Sequence, residues 1–492
     1  MEYPPTAEQQ AVIDGALSGD NLVVQAGAGT GKTSTLVMVA EQLPKRSLYV
    51  AYNKPIQLDA SGKFPGHVTC KTSHGLAYGA VGKDFRHRIS GKREPSWEVA
   101  KRMGLRNLRL GRDVMVKSSH LARIAGDTVR RFCYSADDEI TARHVPPQNG
   151  IIGADHAVLV ANVLPLAQRW WADVNDRSGW MPFEHDHYLK MWALTRPELP
   201  YYTIYFDEAQ DANPVLAKLI SDQNAQQIIV GDSCQQMYAW RGAVDALGGW
   251  KNARQLYLAQ SWRFGQAIAD EANKWLHQLH TPLELIGNPH MDSVVDTLEK
   301  PKAILCRTNA GAMGHVLGEL DSGRRVSLVG GGDALSRLAR AAGDLREGKT
   351  TNHPELYAFP DWDSVVRYAT EEEGGRDLLP LIKLIEEHGI ERILEATNAL
   401  SRNEDDADVI VSTAHKSKGR QWETVKVAGD FFAPRVTEDG ETPTISEAEA
   451  MIGYVAVTRA KEVLDCAAVS WIDDLVDTAG PEEDEGGMVL SW

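Results

Sequence analysis

The chain has 492 residues, 43% hydrophobic and 24% charged, with a formal net charge of −16. That balance is ordinary for a globular protein and too acidic for a surface that is a nucleic-acid glove all over. No run reaches the roughly 18 apolar residues of a spanning helix, and MEYPPTAEQQ lacks a basic region followed by an apolar run, so a soluble cytoplasmic protein without membrane contact is expected.

Length alone suggests about three domains at ~150 residues each. The five cysteines, Cys70, Cys133, Cys234, Cys306 and Cys466, form no CxxC pair, which fits a reducing compartment and argues against a zinc ribbon or an iron–sulfur cluster.

The first predicted strand is Asn21–Gln25, and it runs into AGAGTGKT, Ala26–Thr33, ahead of the helix-compatible TLVMVAEQL. This is the GxxxxGK[ST] pattern with Ala26 at its first position. Gly27, Gly29 and Gly31 let the segment Ala26, Gly27, Ala28, Gly29, Thr30, Gly31 curl, so that its N–H groups face a β-phosphate. Lys32 supplies a point charge to the β- and γ-phosphates, and Thr33 offers a hydroxyl to Mg²⁺. Alone, this loop would suit a kinase, a GTPase or a transporter ATPase nearly as well.

A second strand is expected at Ser47–Tyr52. From about residue 81 to 199 the strand–helix rhythm gives way to a mostly helical interval. Its stretch Lys83–Arg131 holds 14 Lys+Arg against 5 Asp+Glu, a local excess suited to phosphate unless it is simply a solvated face. His185-Asp186-His187 has metal-ligand spacing, but no Cys or His cluster supports it, so a solvated loop is expected there.

The strand Tyr202–Phe206 ends in YFDEAQD. Asp207 can hold Mg²⁺, and Glu208 can polarise the water that attacks a γ-phosphate. The strand Gln227–Val230 leads into VGDSCQQMYAWRGA. There Gln235 reads as a γ-phosphate sensor, and Tyr238 and Trp240 beside Arg241 can stack on exposed bases, unless they are core aromatics.

Further strands are expected at Lys302–Cys306, Asp408–Ser412 and Thr424–Ala428. These runs are apolar without alternation, as in parallel strands covered on both faces. A second insertion spans about 330–400, and the acidic, Gly-rich tail from Thr478 is expected to be poorly ordered in part.

Taken in order, these segments resemble the superfamily 1 DNA helicases of the UvrD/Rep/PcrA type. TAEQQAVI resembles the adenine-reading motif, with Gln9 as base contact. VAYNK and KTSHGLAY resemble strand-contacting segments, which points to Asn53, Thr72 and His74. YLAQSWRF resembles the LxQNYR motif, so Arg263 would be an arginine finger and Trp262, where the family usually has Tyr, would stack on adenine. STAHKSKG resembles the motif coupling DNA to nucleotide and carries Thr413 and His415. YVAVTRAKEVL resembles the final motif, with Arg459 as a second γ-phosphate arginine. Arg420-Gln421-Trp422 replaces the usual Leu-Glu-Phe/Trp, so Gln421 would meet the ribose without a charge. The THxxKSKG wording resembles the F-box DNA helicase branch and phage or bacterial relatives more than UvrD itself.

The resemblance implies an α/β fold: two RecA-like P-loop motor domains with parallel sheets, each carrying a mostly helical insertion. The first motor domain would comprise 1–80 and 200–255, interrupted by the basic, DNA-contacting insertion 81–199. The second would comprise 256–329 and 401–477, interrupted by the short insertion 330–400, with 478–492 as an acidic tail. Neither a fused nuclease after the final motif nor an F-box-like segment before the motor is expected.

If Lys32, Arg263 and Arg459 converge on one ATP, loss of its γ-phosphate lets two domains reopen across a bound strand. The implied activity is ATP- and Mg²⁺-dependent 3′→5′ movement on single-stranded DNA and unwinding of tailed duplex, in replication, repair or recombination. A translocase that strips proteins and unwinds weakly is one alternative, motivated by the short second insertion. An ATP-gated nucleic-acid clamp is another, and Glu208, Gln235 and the two arginines argue against it. RNA as substrate is not excluded by any of these residues.

Overall fold

The computed structural model describes residues 4–89, 94–111, 114–148, 151–236, 247–250, 252–351, 353, 356, 359–371, 378–431, 433–434 and 444–478. The chain divides into two compact units. One comprises Met1–Ala26 and Gly31–Leu258; the other comprises Ala259–Trp492, with the tetrapeptide Gly27–Thr30 grouped to it.

In chain order the first unit contributes β1 (Leu22–Ala26), β2 (Ser47–Ala51), β3 (Val68–Thr72), β4 (Leu108–Leu110), β5 (Val114–Val116), β6 (Thr203–Phe206), β7 (Gln226–Gly231) and β8 (Arg254–Leu258). Six of them form one sheet in the order β3-β2-β6-β7-β1-β8, and every pairing in it is parallel. The pleat alternates burial between two cores. Val23, Leu48, Ile204 and Phe206 join one core, while Leu22, Val24, Tyr49 and Tyr205 join the other. Apolar residues on both faces are what a sheet covered by helices on each side requires. Because the strands run the same way, the loops after β1, β2, β3, β6 and β7 all leave from one edge, where open α/β sheets hold ligands.

The helices Ala7–Leu17 and Lys32–Gln42 cover one face of this sheet. The other face packs on the expected insertion. Its main helices are Ser118–Tyr134, Gly153–Asn175 and His185–Leu194. Leu121, Ala125, Phe132, Val163, Trp170 and Leu189 share one core with the sheet residues Val23 and Phe206. Leu121, Ala125, Thr128 and Phe132 recur at helical spacing, so a single stripe of Ser118–Tyr134 is buried.

The second unit adds β9 (Val294–Val295), β10 (Ala303–Cys306), β11 (Val326–Leu328), β12 (Val409–Thr413), β13 (Trp422–Val427) and β14 (Ala460–Asp465). They pair in the order β11-β12-β10-β13-β14-β9, again all parallel. Asn309–Asp321, Asp333–Arg346, Trp362–Glu371 and Leu379–Ala399 form helices packed against one face, around Val316, Leu338, Val365 and Ile385. The last is broken at Gly389, whose φ of 73° is not helical.

The mixed α/β reading with two parallel sheets holds, and all seven expected strands are present within two residues at each end. Sequence reading missed β3, β8, β9, β11 and β14, which are short or carry charged and polar residues. It also missed that β4 and β5 pair as an antiparallel ribbon. His185–Leu194 is a helix, not the expected solvated loop, and His187 is buried within it. The expected tail lies almost entirely outside the described residues. Among the described residues, no helix is long and apolar enough to cross a membrane. All five cysteines are buried, and none of them forms a disulfide among the described residues.

Candidate functional site

β1 ends at Ala26, which has no exposed surface, and the chain turns at once into the phosphate-loop sequence. Gly29 (φ +78°) and Gly31 (φ +80°) take left-handed backbone, where a Cβ would be strained. Thr30 Oγ1 donates to the Gly27 carbonyl at 2.9 Å and tightens the curl. Gly31 is the N-cap of Lys32–Gln42 and provides no side-chain cap, a helix start suited to an anion. Lys32 Nζ donates to the Ala26 carbonyl at 2.6 Å, so the lysine lies back along its own loop.

Gln9 is buried and already committed. Its Oε1 accepts from the Thr6 N–H at 3.0 Å, closing a capping box, and its Nε2 donates to Thr35 Oγ1 at 3.2 Å on the loop's own helix. Contact with an adenine would exchange the second bond.

The loop after β6 carries the acidic pair. Thr33 Oγ1 donates to Asp207 Oδ2 at 2.8 Å, and the Tyr49 hydroxyl donates to the same oxygen at 2.7 Å. These bonds join three segments far apart in sequence: the helix after β1, the middle of β2, and the end of β6. Burial and the neighbouring Glu208 charge push the Asp207 carboxyl above its usual range, against hydrogen bonds from Tyr49 and Thr33 and the Lys32 charge. Burial and the Asp207 charge push the Tyr49 hydroxyl strongly upward, so it stays a donor. A buried carboxylate short of positive charge, with a hydroxyl beside it, is a donor set that fits a hard divalent cation.

Glu208 takes φ 51°, an uncommon left-handed conformation for a glutamate. Its N–H donates to Asp207 Oδ1 at 2.9 Å, and its Oε2 accepts from Gln210 Nε2 at 2.5 Å. Gln210 Oε1 accepts from the Asp232 N–H at 3.0 Å, and Asp232 Oδ2 accepts from Gln235 Nε2 at 2.7 Å. Glu208 and Gln235 are therefore ends of one bonded chain across β6 and β7. Tyr49, Gln210 and Asp232 were missed by sequence reading. Gln210 sits inside the DEAQD string, but only the strand order shows that Tyr49 faces Asp207. Tyr238, Trp240 and Arg241 lie outside the described residues.

In the second unit, Arg263 Nη1 donates to the Thr458 carbonyl at 2.8 Å. Arg459 is 1% exposed; its Nε donates to the Val455 carbonyl at 2.8 Å and its Nη2 to Thr458 Oγ1 at 2.9 Å. Both arginines thus hold the end of the helix Glu447–Val457. Trp262 and Gln421 are exposed. Thr413 caps the short helix Ala414–Ser417 by accepting from the Lys416 N–H at 3.4 Å. His415 beside it is half-buried, and burial and the Arg307 charge lower its pKa against Glu449.

Of the expected strand contacts, Asn53 follows β2 and Thr72 closes β3. Each caps a helix: Asn53 Oδ1 accepts from the Ile56 N–H at 3.0 Å and Thr72 Oγ1 from the Gly75 N–H at 3.0 Å. With His74 they line a cavity of about 720 Å³. The basic block is partly structural. Arg88, its side chain 5% exposed, donates to the carbonyls of Asp173 and Met181 and pairs with the Asp173 carboxylate at 3.1 Å. Arg130 pairs with Asp127 and Glu184. Among the described residues, no group of three or more His, Cys, Asp or Glu could hold a metal ion.

A Gly-rich loop at the end of a central parallel strand, with Thr33 bonded to an acidic strand end, defines a P-loop nucleotide-binding unit. Residues 8–241 match the family model described as an AAA domain. The chain is 29% identical over 502 residues to F-box DNA helicase 1 of Gallus gallus, covering 94% of this chain and 49% of the relative. It is 30% identical over 505 residues to F-box DNA helicase protein 1 of Schizosaccharomyces pombe, covering 93% of this chain and 57% of the relative. The chain spans about half the length of the curated relatives it matches. These findings bear out the resemblance to the superfamily 1 DNA helicases and to their F-box branch.

Proposed function

We propose that the chain is an ATP-driven motor that moves along single-stranded DNA, 3′→5′, and unwinds tailed duplex. The observation that carries this reading is the bonded set Thr33, Tyr49, Asp207 and Glu208 at the phosphate loop, in a chain similar over most of its length to proteins named DNA helicases. Phosphoryl transfer asks the protein for position and charge more than for covalent chemistry. Lys32 leaves the Ala26 carbonyl for the β- and γ-phosphates. Thr33 and Asp207 would hold Mg²⁺, which when bound neutralises charge on the phosphates. Glu208, oriented by Gln210, accepts a proton from the attacking water. Gln235 reports on the γ-phosphate through Asp232 and Gln210 to Glu208.

Arg263 and Arg459 supply positive charge to the transferred group, and each must first exchange its carbonyl partner. Trp262 and Gln9 receive the base, and Gln421 the ribose. Asn53, Thr72, His74, Thr413 and His415 meet the strand. The test is unwinding of duplexes with a 3′ or a 5′ single-stranded tail at fixed ATP. Unwinding from the 3′ tail is expected; unwinding only from the 5′ tail overturns the polarity.

A further inference from the structure

The cavity of about 720 Å³ beside β2 and β3 has a second wall that the motifs do not supply. Tyr52, Asn53, Lys54, Thr72 and His74 come from the end of β3 and from the turn and helix starts that follow β2 and β3, while His185, Asp186 and Tyr188 come from the helix His185–Leu194 of the insertion. A hydrogen bond joins the walls: His74 Nε2 to Asp186 Oδ1 at 3.0 Å, across 112 positions of sequence. We propose that Asp186 is a positioning residue that sets His74 for binding single-stranded DNA.

Asp186 is not needed as a cap. Glu184 already caps its helix, with His187 Nδ1 accepting the Glu184 N–H at 3.0 Å. Burial raises the Asp186 carboxyl, but the His74 bond, the His74 and His187 rings and the Tyr134 hydroxyl outweigh it and hold the carboxyl below its usual range. The group is thus an ionised acceptor, and it requires a donor at His74 Nε2. That bond holds a proton on Nε2 and leaves Nδ1 as the ring atom for a ligand. Ring contacts fix the plane as well: His185 and Tyr188 meet His74 edge-on at 6.3 and 6.1 Å between centroids.

The occupant is a nucleic-acid strand on chemical grounds, and the inference rests on the motor reading above. Tyr52 and Tyr78 are 40% and 36% exposed on the cavity wall, offering faces on which bases stack regardless of sequence. Lys54 adds positive charge, whereas Asp211 on the same wall disfavours a purely phosphate-driven site. Stacked bases, with His74 taking one polar contact, satisfy that mixture. Asp186 thereby makes the insertion part of the strand site rather than a neighbour of it.

The test is ATP hydrolysis titrated with oligothymidylate for the full chain, for Asp186→Asn, for His74→Ala, and for the two together. Each single substitution is expected to raise the half-saturating DNA concentration about tenfold, with kcat at saturating DNA changed less than about twofold. The double variant is expected to be no worse than His74→Ala, since Asp186 acts through that ring. An undiminished further loss in the double variant, or no shift in Asp186→Asn, overturns the proposal. If Asp186→Asn does not fold, His74→Ala decides alone: an unchanged half-saturation overturns it. Failure of DNA to stimulate the unaltered chain would instead sink the motor reading itself.

Discussion

The acidic pair of the first unit and the arginines of the second are built in opposite ways. Around Asp207 and Glu208, hydroxyl donors from β2 and from the helix Lys32–Gln42, and the amide of the neighbouring Gln210, already aim at the atoms that do the work. Arg263 and Arg459 instead have guanidinium hydrogens spent on carbonyls and a hydroxyl of their own unit. A carboxylate pair can be preorganised by neutral donors at little cost. A guanidinium as buried as that of Arg459 must be satisfied while it waits, so its service to a phosphate is an exchange of partners. Such an exchange is a natural place for a nucleotide to make a difference to conformation.

The largest expected effects test the prepared half. Lys32→Ala and Glu208→Gln should each cut ATP turnover by about 10³-fold or more. Equilibrium binding of a fluorescent nucleotide should persist in Glu208→Gln, and a variant that hydrolyses normally would remove Glu208 as the base. The waiting half should respond differently. Arg459→Ala should lose about 10²-fold in turnover and also lower the melting temperature, because the guanidinium ties the end of a helix. Arg263→Ala, with one such bond described, should lose turnover with less loss of stability. Equal melting shifts for both would contradict the different anchoring of the two arginines.

Tyr49→Phe is a smaller change. It deletes one donor to a buried carboxylate and should cost about 1–3 kcal/mol of stability or several-fold in turnover, with a raised Mg²⁺ requirement in an ATPase titration.

Outside both sites, burial, aided by Arg130 and Arg88 and opposed by Glu184 and Asp186, holds His187 at a pKa of about 4. Unfolded, it protonates near 6.5. Stability present above that pH should therefore be lost as pH falls from about 6.5 to about 4. Melting curves across that range should fall less steeply for His187→Gln.

Much of this was legible in the sequence because chemistry compresses into short strings. Ala26–Thr33 and Asp207-Glu208 each fall at a strand end, and an apolar run such as TIYF announces a strand buried on both faces. β3, VTCKT, gave no such sign, since its exposed Lys71 breaks the run. Tyr49 and Asp186 could not be read because their partners are fixed by strand order and by packing of the insertion, not by spacing. The basic block misled in part: Arg88 is a clamp on carbonyls, a use that composition cannot distinguish from a phosphate contact.

The most direct measurement is the steady-state ATPase rate of the full chain with and without single-stranded DNA. A large stimulation by DNA that disappears in Lys32→Ala is expected. A rate that is the same with and without DNA would contradict it.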